Sequence, residues 1–262
     1  MSNKDVDKCN LIPEKIYRYM PWNSYAIDTL VNHSLHLSSP YSFNDEFELL
    51  VPIFCDMFEA QSMLNDINYE SNRIVCFSKS YQNSMMWYNY AGCGSGICLE
   101  FTNLVDVNHA ELLEHEYSEP TNISHQMKMY LFRHDNKPHI IGRVHYTNHM
   151  PDIKIARQFS IGSIDELCCH AKNDGIISYM PFFFKNTDWA MEKEIRIVRL
   201  NTTDDFYEFD KSCLTGVYTN SQMSTANKEI LQRIVDEFYP HAVMHNLLRK
   251  KDDYGYEREC AL

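Results

Sequence analysis

The sequence predicts an α+β fold spread over a single body of 262 residues, and three observations predict it. Short runs rich in Ile, Val, Phe and Tyr read as strands, and other stretches carry the 3.6-residue period of amphipathic helices. The two kinds alternate without the regular strand–helix–strand spacing of a doubly wound sheet. With 44% hydrophobic and 23% charged residues, and only 8 Gly and 9 Pro, the chain has the composition of a packed globule rather than a disordered one. A less regular, locally basic insertion is expected around residues 105–175.

In chain order, EKIYRYMPW reads as a strand stopped by Pro21, with Ile16 and Arg18 on one face and Tyr17 and Tyr19 on the other. NSYAIDTLVNHS sets Ile27, Leu30 and Val31 at helical spacing behind a Ser24 or Asn23 cap, and SLHLSSP resumes extended chain. FNDEFELL reads as a loop in which Asn44 and Asp45 cap backbone groups, leading into a weakly helical, Met-rich stretch over 52–70. NRIVCFSKS has the content of a central strand, SMMWYNYAG that of one or two helical turns ended by Gly92, and GICLEF that of another strand. Helical tendency appears over 121–134 and 163–173. Beyond 176, a loop precedes the strong strand in WAMEKEIRIVRL, and LTGVYTN adds a strand. TANKEILQRIVDEFY reads as a helix with Ile230, Ile234 and Phe238 on one stripe, while HAVMHNLLRK fits a strand or a helix.

The formal net charge of −12 argues against a surface built for non-specific contact with phosphate backbones. Its distribution is uneven, however. Between His125 and Ser160, Lys128, Arg133, Lys137, Arg143, Lys154 and Arg157 stand against Asp135 and Asp152. This is either an exposed lobe with a chance surplus or a patch for nucleic acid or an acidic partner. The N-terminus has no apolar signal region, and no run approaches the ~18 apolar residues of a membrane span. Nine cysteines, an odd number in a chain too large to need stapling, suit reduced thiols and a cytoplasmic protein.

Several familiar motifs are excluded by order or spacing. The glycines of GCGSG at 92–96 precede a strand instead of following one, so they read as a tight turn, not a dinucleotide loop. His134, His139, His145 and His149, and the Cys168-Cys169-His170 run, lack metal-ligand spacing, and no metal site is implied. In MEKEIRIV, extended chain would put Glu192, Glu194 and Arg196 on one face and Ile195 and Ile197 on the other. Such alternation is ordinarily a solvated face with cross-strand pairing. A carboxylate pair also suits a site, and CFSKS offers Ser78 and Ser80 on one face with Cys76.

Together, IYRYMPWNSYAIDTLVNHSLHLSSPYSFNDEFE, CFSKSYQNSMMWYNYAGCGSGICLEF and WAMEKEIRIV resemble the successive motifs of a large bacterial family of uncharacterised domains. The resemblance runs from about residue 15 to 200, with a fainter tail at LTGVYTN. More remotely, the layout is similar to the ADP-ribosyltransferase fold. That fold is a split mixed or antiparallel sheet with flanking helices, which grips NAD with an Arg or His on the first strand, a Ser or aromatic in the middle and a Glu on a later strand. The resemblance implies Arg18 for the first position, Ser78 or Ser80 for the second, and Glu192 and Glu194 for a Glu-x-Glu pattern. Tyr19, Tyr81, Trp87 and Tyr90 become candidates for the cofactor wall.

In that chemistry, cleaving the nicotinamide glycosidic bond builds positive charge on the ribose, which an ionised Glu194 would stabilise. Glu192 would orient or deprotonate the acceptor, and the forked guanidinium of Arg18 would pair with the pyrophosphate. The expectation is an NAD-dependent ADP-ribosyltransferase that needs no metal and modifies a protein or a nucleic acid. RNA or DNA would be reached through Lys128, Arg133, Arg143, Lys154 and Arg157. A bacterial toxin or phage-defence setting, with a neutralising antitoxin protein as partner, comes from the resemblance alone. Two alternatives stand beside it: an inert sensor domain binding nucleotide, nucleic acid or protein, and a nuclease using Asp45, Glu46 and Glu48 around a divalent metal.

Overall fold

A computed structural model describes residues 12–45, 47–48, 71–118, 124–149, 152–153, 179–200, 202–252 and 255–259. In chain order the elements are β1 (Lys15–Met20), α1 (Ser24–Asn32), β2 (Ser34–His36), β3 (Arg73–Ser78), α2 (Ser84–Tyr90), β4 (Ile97–Thr102), β5 (Glu111–Ser118), β6 (Ser124–His134) and β7 (Lys137–Arg143). They continue with β8 (His145–Thr147), β9 (Asp152–Ile153), β10 (Phe184–Asn186), β11 (Glu194–Arg199), β12 (Phe206–Glu208), β13 (Leu214–Asn220), α3 (Thr225–Phe238), β14 (Val243–Arg249) and β15 (Tyr256–Arg258). Eleven strands form one mixed sheet in the order β15-β14-β13-β4-β1-β3-β11-β7-β6-β5-β9. Within this sheet only β13 and β14 pair in parallel, with α3 as the crossover between them; β8 and β10 form a separate parallel pair. The class is therefore α+β, with a large sheet and few helices.

The sheet has a seam. β1 pairs with β4 through all six of its residues, from Lys15↔Thr102 to Met20↔Ile97, but it meets β3 at the single pair Tyr17↔Ser78. Farther along the same edge of β3, Ser38 exchanges two backbone hydrogen bonds with Ile74, at 2.7 and 2.9 Å. Between these two bridges, among the described residues, the edge of β3 at Cys76 has no strand pairing with it. A backbone carbonyl left there without a donor would be costly, and the Arg18 guanidinium supplies one, Nη1 donating to the Cys76 oxygen at 2.6 Å.

Apolar side chains pack on both faces of the sheet. On one, Ile16, Met20, Val75, Phe77, Ile195 and Ile197 meet Leu30 of α1 and Leu231 and Val235 of α3. On the other, Met127, Met129, Ile140 and Val198 lie under the Tyr179–Phe184 segment, while Tyr17, Tyr19, Cys98 and Tyr218 lie under Met86 and Trp87 of α2. The helices start where side chains satisfy their first amides: Asn23 accepts from Tyr25 and Ala26, and Asn83 from Met85 and Met86, each cap contributing about 1 kcal/mol.

Two expectations are corrected, and one left open is resolved. Residues 124–134 are not helical but form β6, paired with β5 on one edge and β7 on the other; Met127, Met129 and Leu131 fill one core while Tyr130 and Phe132 fill another. Pairing and two-sided burial override the helix propensity of Gln, Met and Lys there. The α3 stripe is centred on Leu231 and Val235, with Ile234 and Phe238 flanking and Ile230 exposed. Residues 243–249 settle as a strand. The helical expectations for 52–70 and 163–173 lie outside the described residues. Among the described residues, no helix is long and apolar enough to cross a membrane.

Candidate active site

The interrupted edge of β3 opens into a cavity of about 450 Å³. Three cations, Arg18, Lys185 and Arg196, and three carboxylates, Glu48, Glu192 and Glu194, line it together with Tyr90, Cys76 and Ser78. Alternation puts Arg18 on the β1 face of Ile16 and Met20, whereas Cys76, Glu194 and Arg196 belong to the opposite face of their strands. Because the strands splay past Tyr17↔Ser78, both sets of side chains line the same cavity.

Arg196 organises the acids. Its guanidinium is buried in the middle of β11, with Nη1 donating to the Phe182 carbonyl at 2.6 Å and Nη2 to Glu194 Oε2 at 2.7 Å. Nη2 also pairs with Glu48, and the group lies 5.0 Å from the centre of the Phe43 ring. Burial would push the Glu194 carboxyl upward, but Arg196 and Lys185 outweigh it and hold the group below the usual carboxylate range. Glu194 is thus ionised at neutral pH. Glu48, sharing the same guanidinium, is pushed upward by burial with only partial relief from Arg196 and Lys185.

Lys185 is the second hub, with Nζ 2.8 Å from Glu192 Oε2, 3.6 Å from Glu194 and 3.9 Å from Glu48. Burial lowers its pKa, but the three carboxylates reverse the sign, and the ammonium stays charged. The half-buried thiol of Cys76 is pushed well up by desolvation and then by Glu194, so it is a neutral donor rather than a nucleophile.

Glu192 reaches the cluster by a route different from the one expected. It ends a 3₁₀ turn, Thr187–Glu192, and Lys193 adopts left-handed φ 48°, so the extended strand begins only at Glu194. Both Glu192 oxygens are engaged, Oε1 by the Tyr90 hydroxyl at 2.5 Å and Oε2 by Lys185. Its carbonyl accepts from Ser78 Oγ at 2.7 Å, which fixes the turn against β3. Glu194 is held from behind, its N–H donating to the Tyr146 hydroxyl at 2.9 Å and its carbonyl accepting from Val144 at 3.0 Å.

Arg18 differs from the other two cations. It is half-buried, its pKa lowered by burial, and among the described residues no carboxylate oxygen lies within 4.0 Å of it. Lys185 and Arg196 make the close ion pairs with the three acids, while Glu194 acts on Arg18 only through space, so this guanidinium, anchored by one carbonyl, can still meet an anion at short range.

Of the residues singled out from sequence, the structure brings Arg18, Tyr19, Ser78, Tyr90, Glu192 and Glu194 to one cavity. It sets Ser80, Tyr81 and Trp87 apart. Ser80 Oγ accepts from the Gln82 amide at 3.1 Å, and its carbonyl takes the Tyr19 hydroxyl at 2.7 Å. Tyr81 stacks on Tyr218 with centroids 4.3 Å apart, and Trp87 is buried beneath α2, Nε1 donating to the Tyr81 carbonyl. Their rings are spent on packing.

The basic stretch is partly neutralised: Lys128 pairs with Glu114 at 2.9 Å, and Lys137 pairs with Asp204. Neither Arg133 nor Arg143 lines the cavity, and Lys154 and Arg157 lie outside the described residues. Of the acidic trio, the two described members do different things. Glu46 is outside the described residues, Asp45 caps the Phe47 amide at 3.0 Å, and Glu48 joins Arg196.

Sequence reasoning missed Lys185 and the pairing role of Glu48. The run PFFFKN held a signal for the first: a lysine directly behind three phenylalanines must either snorkel out or find buried anions.

The family described as protein of unknown function (DUF2971) matches residues 86–197, from within α2 into β11. The matched segment carries Tyr90, Lys185, Glu192, Glu194 and Arg196 but not Arg18, and it is shorter than the stretch over which the motifs are legible. No curated protein and no solved structure matches the chain.

Proposed function

We propose that the cavity binds NAD, cleaves its nicotinamide glycosidic bond and transfers ADP-ribose to a macromolecule. One observation carries this reading: an ionised, buried carboxylate, Glu194, shares a cavity with Arg18, a cation that makes no ion pair within 4.0 Å among the described residues. The dinucleotide presents the complementary pair, a diphosphate for the guanidinium and a ribose that turns cationic as its bond to nicotinamide breaks. Nicotinamide departs with the bonding electrons, and the acceptor nucleophile bonds to C1′ and passes its proton to Glu192. Glu194 stabilises the cationic ribose, while Lys185 and Tyr90 orient Glu192 toward the acceptor. A bacterial toxin or phage-defence setting in the cytoplasm suits this activity.

The test is nicotinamide release from NAD by the purified chain. Glu194→Gln should lower it by about 10²–10³-fold while NAD binding persists. Unchanged turnover in that variant would remove Glu194 from the mechanism. NAD labelled in the adenosine half then reports whether protein, RNA or DNA carries the transferred group.

A second reading is favoured by the closure of the ionic network, in which both Glu192 oxygens and Glu194 are already paired. It assigns the cavity to nucleotide binding without turnover. NAD binding with no nicotinamide release would select it.

A further inference from the structure

The cavity has a second end, away from the acids. Along one edge of β3, Ser78 pairs with Tyr17 and lies opposite Glu194 on the other edge, the Cys76 carbonyl takes Arg18, and Ile74 pairs with Ser38. These residues are evenly spaced, two apart. Glu194 and Ser38 are therefore separated by four residues of β3, about 13 Å at ~3.3 Å per residue, with Arg18 between them.

Just before Ser38, β2 ends at His36, and across the opening stands Tyr25 from the first turn of α1; both line the cavity. Their rings meet at 5.9 Å and 60°. Phe206, paired with His36 across β2 and β12, braces that imidazole from the other side at 5.8 Å. Tyr25 is 64% exposed at the rim of the cavity, and Phe206 behind His36 is 52% exposed, an arrangement that leaves aromatic surface uncovered there. Such a shelf takes a flat π-system by stacking.

We propose that Tyr25 and His36 form the subsite for the adenine ring of the dinucleotide. This rests on the reading of the cavity as an NAD site. The order of groups along β3 reproduces the order of groups along the ligand: nicotinamide ribose at Glu194, diphosphate at Arg18, adenine at Tyr25 and His36. The acceptor's base is the poorer occupant, because an acceptor must come within about 3–3.5 Å of C1′, at the Glu194 end.

Calorimetric titration of the chain with AMP, NAD and nicotinamide mononucleotide tests this. Tyr25→Ala should weaken AMP and NAD by about tenfold, leave nicotinamide mononucleotide unaffected, and be rescued by Tyr25→Phe, which keeps the ring. His36→Ala should act in the same direction. Unchanged AMP and NAD affinity in Tyr25→Ala would overturn the subsite. So would a loss confined to label transfer onto RNA, which would give the shelf to the acceptor. Failure of the enzymatic reading has a different signature, unchanged nicotinamide release in Glu194→Gln, and AMP binding does not depend on it.

Discussion

Replacing Arg196 with methionine should cost this protein about 4 kcal/mol at pH 7. In the native cluster, Lys185 and Arg196 face Glu48, Glu192 and Glu194. The substitution leaves Glu194 and Glu48 to Lys185 alone, at 3.6 and 3.9 Å, and takes the donor from the Phe182 carbonyl. Removing one partner of a buried pair costs ~3–5 kcal/mol and orphaning a buried carbonyl ~1–3 kcal/mol; the two overlap because the same guanidinium does both. Methionine refills most of the volume, so the loss is electrostatic rather than a cavity effect.

At roughly 2–4 °C per kcal/mol for a chain of this size, the midpoint of thermal unfolding should fall by roughly 8–16 °C. The pH dependence follows in sign. With Arg196 present, Glu194 titrates below its unfolded value of 4.5, so its contribution is present above that pH and lost on acidification. Without Arg196, burial raises both carboxyls above 4.5, so the folded chain gains stability by taking up protons as the pH falls. The gap between the two proteins should therefore be widest at pH 7 and clearly smaller at pH 5 in urea titrations. A loss below about 1 kcal/mol at pH 7, or one equal at both pH values, would refute this account of the cluster.

Two further predictions concern parts of the fold away from the cavity. His139 is fully buried, its Nδ1 against the Lys137 carbonyl at 2.9 Å, and burial lowers its pKa from 6.5 to about 3. The unfolded chain thus binds a proton below pH 6.5 that the folded chain refuses, so this residue costs about 2 kcal/mol by pH 5. His139→Phe, which keeps a ring on Phe132, should flatten the acid side of the stability profile between pH 7 and 5; parallel profiles would count against it. At Gly96, an added Cβ would fall 2.2 Å from the Met20 carbonyl and 2.9 Å from that of Ala91, both backbone atoms that cannot step aside. Gly96→Ala should lower the urea midpoint by the equivalent of about 3 kcal/mol, whereas Gly255→Ala, whose nearest neighbour is 3.7 Å away, should be close to neutral; equal midpoints would contradict this.

The strands that read clearly from sequence are the apolar ones at the centre of the sheet, Arg73–Ser78, Ile97–Thr102, Glu194–Arg199 and Leu214–Asn220. β6 did not, because a strand buried on both faces has no alternation to display, and its Met, Gln and Lys also suit helices. For the cavity, Arg18, Glu192 and Glu194 were reached through the family resemblance, since their charge pattern alone reads as a solvated strand face. What joined them was not legible. Glu48 is 148 residues from Arg196 in sequence, and Lys185, though only seven residues from Glu192, meets it through a left-handed turn at Lys193 that leaves no periodic trace. Tyr81 and Trp87 look alike to Tyr90 in sequence; Trp87 and Tyr90 are separated by the side of α2 they occupy, and Tyr81, ahead of that helix, stacks on Tyr218.

A sheet joined across its middle by so few backbone rungs has one line of mechanical compliance, and two side-chain rivets span it: Arg18 on Cys76 and Tyr19 on Ser80. Any anion that draws Arg18 away from its carbonyl trades a rivet for a bound guest. Occupancy and the stiffness of the two half-sheets relative to each other are then coupled through one residue.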